Sequence, residues 1–245
     1  DHQIFSNQEF GGISKYFVEI IKEFEKNDNV KPLLNFRYHN NAYLENLKIN
    51  KTKKFLDGVN FKGKTTLLNN INSIFLSRNI QFDLYHPTYY DFNFIKKIDR
   101  PYIITVHDLI QEKFAKSYNN ETKIIEQKKI SMDRAHKIIA VSNSTKKDII
   151  EFYNIPKDKI EVIYLASKIK TKKNTPPKIK HPPYFLFVGN RSGYKNFEFM
   201  ILSIKDYLKS SFKLICLGGG AFNQNEKLLL KNLGILKNVI RIDIN

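Results

Sequence analysis

The segment Val188-Gly-Asn-Arg191-Ser-Gly-Tyr-Lys195-Asn196 sets two cations one helical turn apart, directly after an apolar run that reads as a buried strand. In an open α/β sheet, ligands bind beyond the carboxyl ends of the strands. Helix N-terminal amides attract anions there, and Arg191 and Lys195 beside them would make a pyrophosphate clamp. An ordinary solvated loop in a lysine-rich protein fits the same residue types. A second pair, His107-Asp108, follows the apolar run Ile103-Ile104-Thr105-Val106 and so projects from a strand's carboxyl end. His can hydrogen-bond a sugar hydroxyl or shuttle a proton at that place. The alternative is a structural pair, with Asp108 capping the turn into Leu109-Ile110.

Two glycine clusters lie at comparable positions. Gly11-Gly12 heads a helix-like stretch and lets a ligand approach the backbone closely; a tight turn explains two glycines equally well. Gly218-Gly219-Gly220 follows a strand-like run but lacks the spacing of the dinucleotide fingerprint. His86-Pro87 reads first as a turn. The remaining histidines (2, 39, 136 and 181) are scattered, so no metal set is expected, and Cys216 stands alone in an apolar run. No P-loop and no Ser-His-Asp arrangement is legible.

The elements that must carry these residues alternate between strand and helix, the pattern of a parallel sheet with helices on its faces. Ile13, Tyr16, Phe17, Ile20, Ile21 and Phe24 form an apolar stripe at helical spacing behind Gly12. Strands are expected at 33–36, 82–85, 102–106, 138–141 and 160–165. Helices are expected twice within 40–80, over 121–135, and from Ser142, where Ser and Asn can cap. Segment 168–183 then brings six lysines and two Pro-Pro pairs with little to bury, and reads as an exposed linker. Strand 184–188, helix 196–208, strand 213–217, helix 225–233 and strand 239–242 follow, a βαβαβ half of a doubly wound nucleotide-binding domain.

The chain has 245 residues, 42% of them hydrophobic and 13% aromatic, enough for one large or two modest cores and too apolar for disorder. No run is long enough to span a bilayer, and a lone cysteine excludes a disulfide framework. No secretory signal is legible at Asp1-His2, and the absence of an initiator Met suggests a missing natural N-terminus. The net charge of +17 invites a polyanion reading, yet only six of the 41 basic residues are arginine. A dedicated nucleic-acid surface would use more Arg for its bidentate fork. Codon bias accounts best for the lysines, and a membrane-facing basic patch is the alternative.

Several segments together resemble the family 4 retaining glycosyltransferases of the GT-B fold, notably bacterial mannosyltransferase-like enzymes of surface-polysaccharide assembly. They are Asp-His-Gln-Ile-Phe-Ser at 1–6, Gly-Gly-Ile-Ser-Lys-Tyr-Phe at 11–17, Tyr-His-Pro-Thr-Tyr-Tyr at 85–90 and Thr-Val-His-Asp-Leu-Ile at 105–110. Ile139-Ala-Val-Ser142 with Thr145-Lys146, Val162-Ile-Tyr164, Val188-Gly-Asn-Arg191 and Tyr194-Lys-Asn196 continue the likeness in order along nearly the whole chain. The resemblance implies an α/β architecture of two Rossmann-like doubly wound domains. An acceptor-side domain (1–167, its first strand missing) would be joined by linker 168–183 to the first half of a nucleotide-sugar-binding domain (184–245).

It further implies that Arg191 and Lys195 neutralise the donor diphosphate and that Gly11 and Gly12 form the loop closing over it. His107, with Asp108, would contact the donor sugar. A UDP- or GDP-linked sugar would pass, with retention and without a metal, to a lipid-linked or growing surface glycan. The implied place is the cytoplasm or the inner face of the cytoplasmic membrane, with anionic-membrane contact and no nucleic acid. The family's late pair of glutamates has no counterpart before Asn245, so the chain reads as truncated at both ends and inactive alone. A nucleotide-sugar 2-epimerase of the same fold, a degenerate nucleotide-binding module and a polybasic membrane binder are the alternatives.

Overall fold

The computed structural model describes residues 1–34, 36, 38–48, 53–54, 81–91, 95, 100–115, 122–167, 182–191 and 193–242. The chain divides into two compact units, Asp1–Ser167 and Lys168–Asn245. Most of the expected linker (168–181) and most of the 40–80 stretch with its two expected helices lie outside the described residues.

In the first unit, α1 (Gln3–Asn7) and α2 (Gly12–Phe24) precede a short parallel pair, β1 (Tyr38–His39) and β2 (Lys53–Lys54). The apolar stripe of α2 buries Phe17, Val18 and Ile21 against Ile4, Phe5, Phe36 and Leu44, a first core cluster. A parallel sheet then follows in the order β3 (Ile103–Val106), β4 (Lys137–Ala140), β5 (Ile160–Val162). Helices α3 (Ile110–Lys113), α4 (Thr122–Arg134) and α5 (Asn143–Tyr153) connect these strands. β-Branched residues fill the strands, as suits a sheet covered on both faces. Ile104, Val106, Ile138, Ala140 and Ile160 share a second cluster with Met132, Ile149 and Tyr153 from the helices. The Ser142 hydroxyl accepts the Thr145 amide at 3.0 Å and starts α5, and Asn154 in the left-handed region ends it.

Two expected strands are not formed among the described residues of this unit. Residues 33, 34 and 36 lie outside any strand; Phe36 is drawn into the α1–α2 core and Leu33 faces solvent. Residues 82–85 reduce to one bridge, Tyr85 to Tyr102, because Pro87 and Pro101 on the two segments lack the amides a longer ladder needs.

The second unit is a parallel sheet in the order β6 (Tyr184–Val188), β7 (Lys213–Leu217), β8 (Val239–Ile242), crossed over by α6 (Phe197–Lys209) and α7 (Gln224–Asn232). Phe185, Phe187, Leu214, Cys216 and Val239 pack against Phe197, Ile201, Leu208 and Leu230. This face holds the core. Tyr184, Leu186 and Val188 alternate onto the other, exposed face of β6.

Candidate functional site

The carboxyl end of β3 delivers His107, whose ring is half-buried. Its Nε2 is, among the described residues, the buried side-chain nitrogen or oxygen with no hydrogen-bond partner. Burial pulls the imidazole from 6.5 to about 4, against an upward pull from Asp108. The ring is therefore neutral near pH 7, with one N–H and one lone pair to offer. An unpaired buried polar group costs free energy that a ligand hydroxyl at Nε2 would recover.

Three residues hold this corner together. Tyr16, one helical turn beyond Gly12, meets the His107 ring edge-on at 5.0 Å, and its hydroxyl lies 3.3 Å from the Thr105 hydroxyl. Burial raises the Tyr16 pKa, so that hydroxyl stays protonated. His86 Nε2 lies 2.8 Å from the same Thr105 oxygen, and Phe17 packs edge-on to the His86 ring at 5.0 Å. None of these three stood out in the sequence as a site residue. The available signal was Thr105, the one hydroxyl in an otherwise aliphatic strand.

The structure thus links the helix behind Gly11-Gly12 to His107. Gly11 is the N-cap of α2 in extended conformation. The side-chain oxygen of Gln8 accepts the Ser14 amide at 3.3 Å, so an uncharged group occupies part of an anion-attracting helix start. A Cβ at Gly12 would meet nothing within 4 Å, so the chain's own packing does not require glycine there. Asp108 is exposed, and its carboxylate accepts the Ile110 amide at 3.2 Å. It caps the turn into α3.

In the second unit Arg191 is turned inward. Its side chain is 2% exposed, and Nε donates to Glu226 Oε1 at 2.9 Å. Nη1 donates to the Gly218 carbonyl, and Nη2 to the carbonyls of Gly219, Gly220 and Ala221, at 2.9 to 3.2 Å. The Phe222 ring covers the guanidinium at 4.6 Å. Three successive glycines with positive φ aim these carbonyls inward; a Cβ on Gly219 would stand 2.8 Å from the Gly189 carbonyl. Glu226 also closes a capping box with Asn223 at the start of α7. Arg191 therefore staples the glycine loop to β6 and α7, a role its residue type and spacing did not reveal. Lys195 is exposed and reaches back to the Val188 carbonyl at 3.1 Å, over Gly189. It is the cation of the pair that solvent and ligand can reach.

Burial also holds His86 to about 4. In the unfolded chain both rings bind protons near 6.5. Between pH 6.5 and 4 the unfolded state therefore binds more protons, and stability present above pH 6.5 is lost as pH falls through that window. The first unit is expected to lose about 4 kcal/mol, or about 10 °C in Tm, between pH 7 and 5. His107→Asn should flatten about half of that slope. A melting temperature independent of pH over this range would show both rings to be solvated.

Among the described residues no group of three or more His, Cys, Asp or Glu is placed to hold a metal ion, and no helix is long and apolar enough to cross a membrane. No curated protein matches the sequence. The solved structure of the lipopolysaccharide outer core galactosyltransferase WaaB is 20% identical with a TM-score of 0.55, the match covering 97% of this chain and 65% of that one. A glycosyltransferase from Rickettsia africae is also 20% identical, with a TM-score of 0.58 and coverage of 97% and 66%. A UDP-N-acetylglucosamine 2-epimerase is 10% identical, with a TM-score of 0.50 and coverage of 96% and 67%. The chain thus spans about two thirds of the length of these proteins, and the likeness is one of fold, the α/β GT-B architecture. Residues 10–166 match the model of Glycosyltransferase Family 4, a span that contains Gly11, Gly12, Tyr16, Thr105 and His107. With well over half of its length inside that match, the chain belongs to Glycosyltransferase Family 4.

Proposed function

We propose that this protein is a retaining hexosyltransferase that moves a sugar, with mannose the leading choice, from a UDP- or GDP-linked donor to a lipid-linked or growing surface polysaccharide. The observation that carries the reading is the unpartnered Nε2 of His107, buried at a strand end inside the family match. A neutral imidazole there suits a hydrogen bond to a donor sugar hydroxyl. Glycosyl transfer leaves a nucleoside diphosphate with growing negative charge, which fixed cations and helix amides stabilise without reorganisation. Lys195 supplies the direct contact in this proposal. Arg191, its charge balanced by Glu226, shapes the loop beside it, and the start of α2 at Gly11-Gly12 supplies amides once Gln8 gives way. The departing phosphate then assists front-face attack, in place of the carboxylate nucleophile of retaining glycosidases. The proposed place of action is the inner face of the cytoplasmic membrane.

The fold likeness to a nucleotide-sugar 2-epimerase favours a second reading, and one experiment separates the two. The full-length protein, not the 245-residue chain alone, is incubated with radiolabelled UDP- and GDP-sugars, with and without a lipid extract. Transfer predicts label in the lipid or glycan fraction, only when acceptor is present. Epimerisation predicts an altered nucleotide-sugar without any acceptor. Lys195→Ala should weaken UDP or GDP binding about tenfold, the worth of one charge-assisted contact. Binding that weakens steeply with salt and ignores which nucleotide is offered would instead mark a polyanion binder.

A further inference from the structure

Beneath the His107–Asp108 turn lies a buried charge pair that the proposed reaction leaves unused. Lys128 of α4 is 1% exposed, one of the largest fully buried side chains of the chain. An ammonium group so placed is costly unless every proton finds a partner. Here all three have one. Nζ lies 2.9 Å from the Glu112 carboxylate, 3.2 Å from the Gln111 side-chain oxygen and 3.3 Å from the Asp108 backbone carbonyl. It also sits 5.3 Å from the centre of the Tyr90 ring, whose hydroxyl donates to the Thr105 carbonyl at 3.4 Å. The other side of Glu112 is held by the Tyr153 hydroxyl, from the end of α5.

Four elements, β3 with its loop, α3, α4 and α5, therefore converge on one lysine and one glutamate. Stability alone does not explain that choice, because apolar residues of the same volume often do as well or better than a buried ion pair. What apolar residues cannot do is grip a backbone carbonyl. Lys128 grips that of Asp108, the residue next to His107, and Gln111 and Glu112 fix the first turn of α3 behind it. His107 needs such support, since its Nε2 makes no hydrogen bond of its own and the Tyr16 ring meets it only in a perpendicular contact.

We propose that Lys128, with Glu112 as its counter-charge, is a positioning residue that sets the orientation of His107 through the Asp108 carbonyl. This rests on the proposed role of His107 for its consequence in turnover, but not for its effect on the ring. Removing one partner leaves the other buried and uncompensated, so the test removes both charges together. Two neutral pairs are made, Lys128→Met with Glu112→Gln and Lys128→Met with Glu112→Leu, beside the single Lys128→Met. Each is examined by thermal melting, by the ring resonances of isotopically labelled histidine, and by sugar transfer.

Lys128→Met alone should melt well below wild type, and each double variant should recover most of that loss. In the recovered double variants the His107 ring signals should shift or broaden, while those of His39, buried on β1, stay in place. Turnover should fall about tenfold with donor KM within twofold of wild type, a split that simple loss of folded protein would not produce. A folded double variant with wild-type His107 resonances overturns the proposal, and so does restored turnover with restored stability. If neither double variant folds, the pair serves the fold and not the ring, which also overturns it. Should the full-length wild type transfer no sugar at all, the transferase reading falls, and the His107 resonances still decide this one.

Discussion

Replacing Arg191 by alanine should lower the melting temperature of the second unit by at least about 10 °C. Breaking a buried ion pair leaves its partner uncompensated and costs roughly 3 to 5 kcal/mol. In a unit of this size each kcal/mol is worth about 4 to 8 °C. Here the orphaned groups would be the Glu226 carboxylate and the four inward-turned carbonyls of Gly218, Gly219, Gly220 and Ala221. Arg191→Lys should rescue little, because one ammonium cannot reach acceptors spread around a planar fork. Glu226→Gln, which keeps a capping oxygen for Asn223, should cost less than either. Differential scanning calorimetry checks all three, and an Arg191→Ala protein as stable as wild type would show the guanidinium to be a free surface cation. The result bears on function as well. Lost turnover in Arg191→Ala mixes loop collapse with any missing phosphate contact, so Lys195→Ala is the cleaner probe of the diphosphate.

In the full-length protein, His107→Ala should reduce sugar transfer about a hundredfold, in the range seen when one preorganised donor to a developing charge is removed. The ring faces the proposed sugar and not the phosphates, so nucleotide affinity should change less than about twofold. Stability should hold or rise slightly, since the substitution removes a buried nitrogen that has no partner. That combination is distinctive, because a structural histidine would lose stability and a diphosphate ligand would lose affinity. Steady-state kinetics with a thermal melt read the three quantities together. Unchanged turnover would remove His107 from the reaction and with it the strongest support for the transferase mechanism.

By itself the sequence determined the α/β class, the alternation of elements and the placement of each motif at a strand end or helix start. β6, β7 and β8 fall where their apolar runs lie, and α2 begins at Gly12 behind its stripe. Such features are legible because period and burial are written into neighbouring residues. Pairing was less legible. Residues 82–85 carry strand-forming types, yet prolines on both partners limit them to the Tyr85–Tyr102 bridge. Only the tertiary structure decided which polar side chains meet. Tyr16 and Thr105 are 89 residues apart, Arg191 and Glu226 are 35 apart, and no local pattern records either pair. The same Arg reads as a phosphate clamp from its loop and as a loop staple from its surroundings, because a guanidinium fits carbonyls and carboxylates as well as phosphates. Which it holds depends on what the fold brings within hydrogen-bond reach, and the burial that leaves His107 neutral likewise comes from the fold, with Tyr16 of α2 against its ring.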